Sequence, residues 1–298
     1  MTLHPEIQKI VAQIPPASTT PPNPADMRAF EAGNVPPLEQ RTPIASVEDS
    51  IIADVPVRIY ADSDAPKGTI VYFHGGAFFS GSLDTHDHVG RSLAKETGWK
   101  IVSVGYSLSP EVAFPVALNE CYAVVRGVAA TLNHDEPLAI AGDSSGGNFV
   151  AAVTFMAQDD EFDRITHQIL YYPSVDLDFD QERWPSLKEN AEGYGLEYNG
   201  LAPFNSFYLE GGADPADPLV SPIKRENLSG LPKAFVVTAG YDPLRDEGEA
   251  YAEKLRAAGV DTELKRYDSA NHGFVVNFTW IPEFYEVFHD TSDFLNKD

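Results

Sequence analysis

One cysteine, Cys121, stands in the 298 residues. No intrachain disulfide can form, and nothing points to an oxidising compartment. Cys121 lies in an apolar stretch and reads as a small core residue rather than a reactive thiol. Basic residues are also scarce: 21 Lys and Arg against 45 Asp and Glu, for a formal net charge of −24. Such a surface repels nucleic acid and anionic lipid, which excludes both as expected partners. Long apolar runs are absent. The longest are of strand length, well short of the roughly 20 residues of a membrane span, so no stable membrane association is expected. The opening Met-Thr-Leu-His-Pro-Glu has neither the basic start nor the apolar run of a secretory signal, and the cytoplasm is the expected location. There is no internal repeat and no long low-complexity segment.

What is present suits a globular enzyme. Hydrophobic residues make up 43% and aromatics 11%, enough for a sizeable core in one large α/β domain or two small ones. Residues 6–14 read as a short amphipathic helix, with Ile7, Ile10, Val11 and Ile14 at helical spacing. A proline-rich connector follows from 15 to 24, then a second short helix over 26–31. Residues 50–60 alternate as a strand or hairpin. Short, continuously apolar runs come next, at 69–73, 101–104, 138–141, 168–172, 234–238 and 262–267. Helical patterns separate or follow them at 84–97, 115–131, 146–158, 246–258 and 283–295. Gly98 and Gly259 sit where helix ends want a left-handed residue. Continuous apolar strands alternating with helices predict an α/β fold, a mostly parallel sheet with helices on both faces. The interval from about 176 to 233 breaks the alternation and is rich in Tyr, Phe, Trp, Gly and Pro. Its first part, about 176–215, reads as an insertion over the top of the sheet. With residues 1–45 it predicts a helical cap on a catalytic domain of residues 46–298.

Residues 138–147 run from a buried strand through Gly142-Asp143-Ser144-Ser145-Gly146 into a helical pattern. G-x-S-x-G in that context predicts a nucleophile elbow. The serine sits in a strained turn that only glycine neighbours permit, at a helix N-terminus that favours developing negative charge. Taken alone, the same pattern also describes a glycine-rich turn with a capping serine. Ser145 lies one residue off the motif centre, so its backbone N–H is the useful part. The strand 69–73 ends in His74-Gly75-Gly76-Ala77-Phe78-Phe79, where small residues let backbone N–H groups turn toward a carbonyl oxygen under attack. Gly76, Ala77 and Ser145 are the expected oxyanion donors. His74 and Gly75 are expected to support the loop.

These motifs resemble the bacterial hormone-sensitive-lipase-like (family IV) esterases of the α/β-hydrolase superfamily. The resemblance covers essentially the whole catalytic core. It is carried by His74-Gly75-Gly76, by 106–111 with Phe114-Pro115, by 142–148, by Asp242-Pro243-Leu244-Arg245-Asp246-Glu247-Gly248, and by His272-Gly273-Phe274. Three departures stand out. Ala77 replaces a third glycine, Ser145 an alanine, and Tyr106-Ser107-Leu108-Ser109 the usual Tyr-Arg-Leu-Ala. The first two are expected to supply only backbone N–H groups.

The resemblance implies an α/β-hydrolase helical cap fold and the triad order Ser, acid, His. His272 and His289 come late enough to be the base; His289 lies in a helical pattern and reads as a surface residue. Asp242 directly follows a strand and is the expected acid. Asp246 and Glu247 open the next helix, where acids complement the dipole. Asp176 is the fallback acid. Asp84, His86, Asp87 and His88 have the look of a metal cluster, but they open a helix, and no metal or other cofactor is expected. Phe78, Phe79, Tyr198, Phe204 and Phe207 are candidates for a substrate pocket, with aromatics in general more often core. The expected activity is hydrolysis of carboxylic esters with short to medium acyl chains through a Ser144 acyl-enzyme. The expected partner is a small-molecule ester, with room left for a homodimer. Amidase or lactonase chemistry would use the same triad. A non-catalytic receptor on this fold would lack His272.

Overall fold

A computed structural model of the chain describes residues 2–297. In chain order, α1 (Pro5–Val11) and α2 (Pro24–Gly33) precede a hairpin of β1 (Ser46–Ile52) and β2 (Val55–Ala61). Then come β3 (Thr69–Phe73), α3 (Asp87–Thr97), β4 (Lys100–Val104), α4 (Val116–Ala129), β5 (Leu138–Asp143), α5 (Ser145–Asp159) and β6 (Ile165–Tyr171). Two helices, α6 (Ser186–Glu189) and α7 (Tyr198–Glu210), lie within the interval that broke the alternation. The chain closes with β7 (Lys233–Tyr241), α8 (Arg245–Ala257), β8 (Thr262–Asn271), α9 (Phe274–Asn277) and α10 (Pro282–Leu295).

The strands form one eight-stranded sheet in the order β1-β2-β4-β3-β5-β6-β7-β8. β1–β2 and β2–β4 are antiparallel and every other pair is parallel. The run at 50–60 is therefore a hairpin, turned by Ala53 and Asp54 at φ 52° and 64°. Two consecutive positive φ values match the right-handed twist of paired strands. β3 and β5 are buried along their whole length, as parallel strands covered on both faces must be. One core gathers Phe149, Val150, Leu118, Val125 and Leu255 on the side of α4, α5 and α8. The other gathers Val89, Leu93, Phe284 and Val287 on the side of α3 and α10. Gly98 and Gly259 take the expected left-handed conformation, at φ 70° and 83°.

β6 starts at Ile165 and stops at Tyr171, because Tyr172 turns out of the strand at φ 35°. α1 is pinned to the body by Ile7, fully buried among the second core, and by His4, whose N–H donates to Ser269 O at 2.9 Å. α2 contains no buried residue. No helix among the described residues is long and apolar enough to cross a membrane.

Candidate active site

The turn between β5 and α5 holds Ser144 at φ 54°, ψ −119°, a conformation that side-chain-bearing residues rarely adopt. Its neighbours must be glycines for want of space. A Cβ on Gly142 would stand 2.5 Å from the Gly146 carbonyl carbon, and one on Gly146 would stand 2.1 Å from Phe73 O. The strain is held in place by backbone bonds: Ser144 N–H donates to Tyr171 O at 2.9 Å, and its own carbonyl accepts from Asn148 and Ser174.

The serine hydroxyl meets the loop after β8. His272 Nε2 lies 3.0 Å from Ser144 Oγ, and His272 Nδ1 lies 2.7 Å from Asp242 Oδ2. Asp242 is fully buried at the end of β7, and its other oxygen accepts the Leu244 N–H at 2.8 Å. A carboxylate facing Nδ1 favours the tautomer with the proton there, leaving the Nε2 lone pair for the serine hydroxyl. The Tyr172 ring packs on the imidazole with centroids 4.8 Å apart. His289 lies half exposed on α10 beside Glu96, 3.3 Å away.

The loop after β3 comes to the same place. Gly76, Ala77 and Phe78 take φ values of 122°, 48° and 65°. Among the described residues, neither the Gly76 nor the Ala77 N–H has a protein acceptor, and nor does the Ser145 N–H at the first turn of α5. Three free donors beside the serine can stabilise an oxyanion. Gly75 cannot join them, since its N–H donates to Asp143 Oδ1 at 2.9 Å. Ser145 contributes more than its backbone, against the sequence expectation: its Oγ accepts the Phe78 N–H at 3.4 Å.

Asp143, the unremarked x of the elbow, is the inner anchor of this loop. It is buried, receives the Tyr72 hydroxyl at 2.5 Å as well as the Gly75 N–H, and faces His86 Nε2 at 3.6 Å. Burial alone would raise its pKa, but His86, Tyr72 and His74 hold it below the usual carboxylate value. His74 stacks on Tyr106 at 4.2 Å, and the Tyr106 hydroxyl donates to the His74 carbonyl at 2.6 Å. Burial, with His86 beside it, pushes the His74 pKa down to about 3, so its ring is neutral near pH 7.

A cavity of about 40 Å³ opens beside the serine, lined by Ala77, Ser144, Ser145, Ser174, Leu196, Leu201, Phe204, Asn205, Leu244 and His272. Of the five aromatics proposed for the substrate pocket, Phe204 is among the residues lining this cavity and the other four are not. Phe78 is core, stacked on Tyr208 at 3.9 Å. Phe79 packs against Phe204 and Phe207, and Tyr198 reaches toward Phe179 O. Aromatic rings here pack mainly on one another, and Leu196, Leu201 and Leu244 supply most of the apolar wall beside Phe204.

Three buried polar side chains around the site escaped the sequence reading in their contacts. Asn190 donates its amide to the Asp242 carbonyl at 3.0 Å, and Asn271, next to the histidine, donates to Tyr194 O at 2.8 Å. Both tie residues 190–194 to the acid and base loops, and only their nearness to a motif could have flagged them. Glu247 does stand in the first turn of α8, as expected, but it points inward rather than serving only the helix dipole. It is fully buried, and accepts the Val175 and Asp176 N–H groups at 2.8 and 3.1 Å. Burial pushes its pKa well up. The fallback acid Asp176 is bound to Arg183 and to Trp184 Nε1, away from His272. In the Asp84–His88 stretch, Asp87 takes Arg41 and Arg91 at 2.6 Å each, Asp84 takes Arg58, and His88 Nε2 lies 2.6 Å from Val276 O.

Residues 70–276 match the model of a family described as having the alpha/beta hydrolase fold. The chain belongs to that family. It is 38% identical over 228 residues to an arylesterase of Saccharolobus solfataricus, covering 74% of this chain and 73% of that one. A carboxylesterase of Mycobacterium tuberculosis is 38% identical over 242 residues, 77% of this chain and 74% of that one. In structure, the chain is similar to a hyperthermophilic esterase of the archaeon Pyrobaculum calidifontis, with a TM-score of 0.89, 34% identity, and coverage of 98% and 97%. The resemblance to hormone-sensitive-lipase-like esterases drawn from the motifs holds, and the protein is a carboxylic-ester hydrolase.

Proposed function

We propose that the protein hydrolyses esters of short to medium acyl chains through an acyl-enzyme on Ser144. His272 takes the serine proton as Oγ attacks the carbonyl, and Asp242 holds the imidazole in the accepting tautomer. The Gly76, Ala77 and Ser145 N–H groups receive the oxyanion, and His272 returns the proton to the leaving alcohol. Water, activated by the same histidine, then releases the acid. The observation that carries this reading is the pair of contacts at 3.0 and 2.7 Å running from Ser144 through His272 to Asp242. The short end of that acyl range fits the cavity: about 40 Å³ holds roughly three water-sized groups, the size of an acetyl.

In this reading α1, α2 and the insertion of about 176–215 form a cap on the catalytic domain of residues 46–298. Leu196, Leu201, Phe204 and Asn205 of the insertion line the cavity, which supports that division. The reading keeps the cytoplasm as the compartment, in line with a single buried cysteine, and leaves room for a homodimer.

Kinetics of the triad variants test the proposal. Because the residues act as a unit, Ser144→Ala and His272→Ala should each lower kcat by at least ~10³-fold, with no further loss in the double variant. Retention of a tenth of the activity by purified Ser144→Ala would overturn it.

A further inference from the structure

We propose that Arg28 and Glu31 of α2 are positioning residues of the oxyanion hole, holding residues 79–81 from outside and so aiming the Ala77 N–H. The proposal rests on the Ser144 acyl-enzyme reading.

The two residues are three apart on a helix, so they share a face. Arg28 Nε donates to Phe79 O at 2.7 Å, and its second nitrogen donates to Ser109 O at 2.9 Å. The fork is completed on Glu111, which accepts from both terminal nitrogens at 2.8 Å. Glu31 takes the Ser80 hydroxyl at 2.9 Å on one oxygen and the Gly81 N–H at 3.0 Å on the other. Three consecutive residues of the loop, 79 to 81, are thus bound to one helix face. No residue of α2 is fully buried, and Arg28 and Glu31 are among its half-buried positions, so these polar contacts are a main part of its docking.

The link to the oxyanion hole runs through one peptide plane. The Gly76 carbonyl accepts from Phe79 N at 3.1 Å, Ser80 N at 2.9 Å and Ser80 Oγ at 3.1 Å. The single hydroxyl proton of Ser80 is shared between that carbonyl and Glu31, with the charged carboxylate the stronger acceptor. In a trans peptide the C=O and the following N–H point in opposite directions. Fixing the Gly76 carbonyl toward residues 79 and 80 therefore points the Ala77 N–H the other way, and Ala77 lines the cavity beside Ser144. Left-handed backbone at Ala77 and Phe78 means the loop has lower-energy alternatives nearby and depends on such restraints. Asp143 anchors Gly75 on the inner side, and α2 supplies the outer anchor.

The test is steady-state hydrolysis of an aryl acetate by the full-length chain, together with binding of a trifluoromethyl ketone, whose serine adduct carries the oxyanion. Loss of one oxyanion donor costs roughly 10²–10³ in kcat, so loosening one should lower kcat about tenfold in Arg28→Ala and Glu31→Ala, with KM within about twofold. Ketone affinity should fall by a similar factor. Glu31→Gln, left with one acceptor oxygen, and Arg28→Lys, with a point charge for a fork, should fall between these and the wild type. Phe30→Ala on the same helix, 69% exposed, should behave as wild type. The proposal is overturned if both alanine variants keep wild-type kcat and ketone affinity, or if their loss lies in KM alone. Should the alanine variants not fold, wild-type values in both Glu31→Gln and Arg28→Lys overturn it equally. Ser144→Ala run alongside separates the two claims: activity surviving there sinks the acyl-enzyme reading, whereas an inactive Ser144→Ala beside unaffected α2 variants sinks only the positioning role.

Discussion

Replacing Ala77 by valine probes the oxyanion loop at its most constrained point. Ala77 sits at φ 48° and Phe78 at φ 65°, so two successive residues with side chains occupy the left-handed region, each at a cost of about 1–2 kcal/mol. A β-branched side chain at such a φ is a genuine outlier and adds strain on the order of 1–3 kcal/mol. The whole domain need not absorb that strain, because the Gly76–Ala77 peptide can rotate locally and relax. Rotation turns the Ala77 N–H away from the oxyanion position, and losing one such donor costs roughly 10²–10³ in kcat. Partial relaxation still predicts at least about a tenfold fall for Ala77→Val. Ala77→Gly should stay within about twofold of wild type, since glycine takes a positive φ freely and keeps the N–H. The assay is kcat on ethyl acetate and an aryl acetate, with thermal unfolding recorded for each variant. A folded Ala77→Val with wild-type kcat on both esters would refute the reasoning, whatever its stability.

The remaining outcomes concern pH, acyl length and one buried acid. His74 and His88, held neutral by burial with pKa values of about 3 and 4, gain protons on unfolding once pH falls below about 6.5. Their folded values are depressed, so stability is retained above the unfolded pKa and drains as pH falls toward the folded one, by up to about 1.4 kcal/mol per pH unit for each. Denaturant midpoints that stay level from pH 7 to pH 4.5 would contradict this. In a chain-length series of aryl esters, acetate should be turned over faster than octanoate, and Leu201→Ala, which enlarges the cavity, should narrow the gap; an unchanged ratio would show that Leu201 does not bound the acyl group. Glu247→Gln keeps an acceptor for the Val175 and Asp176 N–H groups and should cost under about 1 kcal/mol, whereas Glu247→Ala strands both and should cost about 2–3 kcal/mol. Equal denaturation curves for the two variants would show those bonds to be immaterial.

The sheet was legible because parallel strands buried on both faces leave continuous apolar runs; residues 69–73 and the core of β5 are such segments. The grouping of Ser144, His272 and Asp242, proposed here as the triad, was legible because an elbow admits only glycine beside its serine, and family order orders the remaining members. The pocket was not. Lining a cavity and packing a core call for the same side chains, so Phe78 and Phe204 look alike in sequence and differ only in what surrounds them. Glu247 read only as a first-turn acid because its partners, the N–H groups of residues 175 and 176, lie over seventy residues away and leave no local pattern. Arg28 and Glu31 were hidden for the same reason, since they sit in a short helix with no apolar stripe to mark its inner face.

The account turns on a covalent acyl group at Ser144. Acid-quenching the enzyme during turnover of an aryl acetate, digesting it and mapping the peptides by mass tests this most directly. The account predicts one acetyl group on the peptide bearing Ser144, absent from Ser144→Ala and accumulating where His272-assisted deacylation is slowed. An acetyl group reproducibly on another residue, with Ser144 unmodified while turnover proceeds, would contradict it.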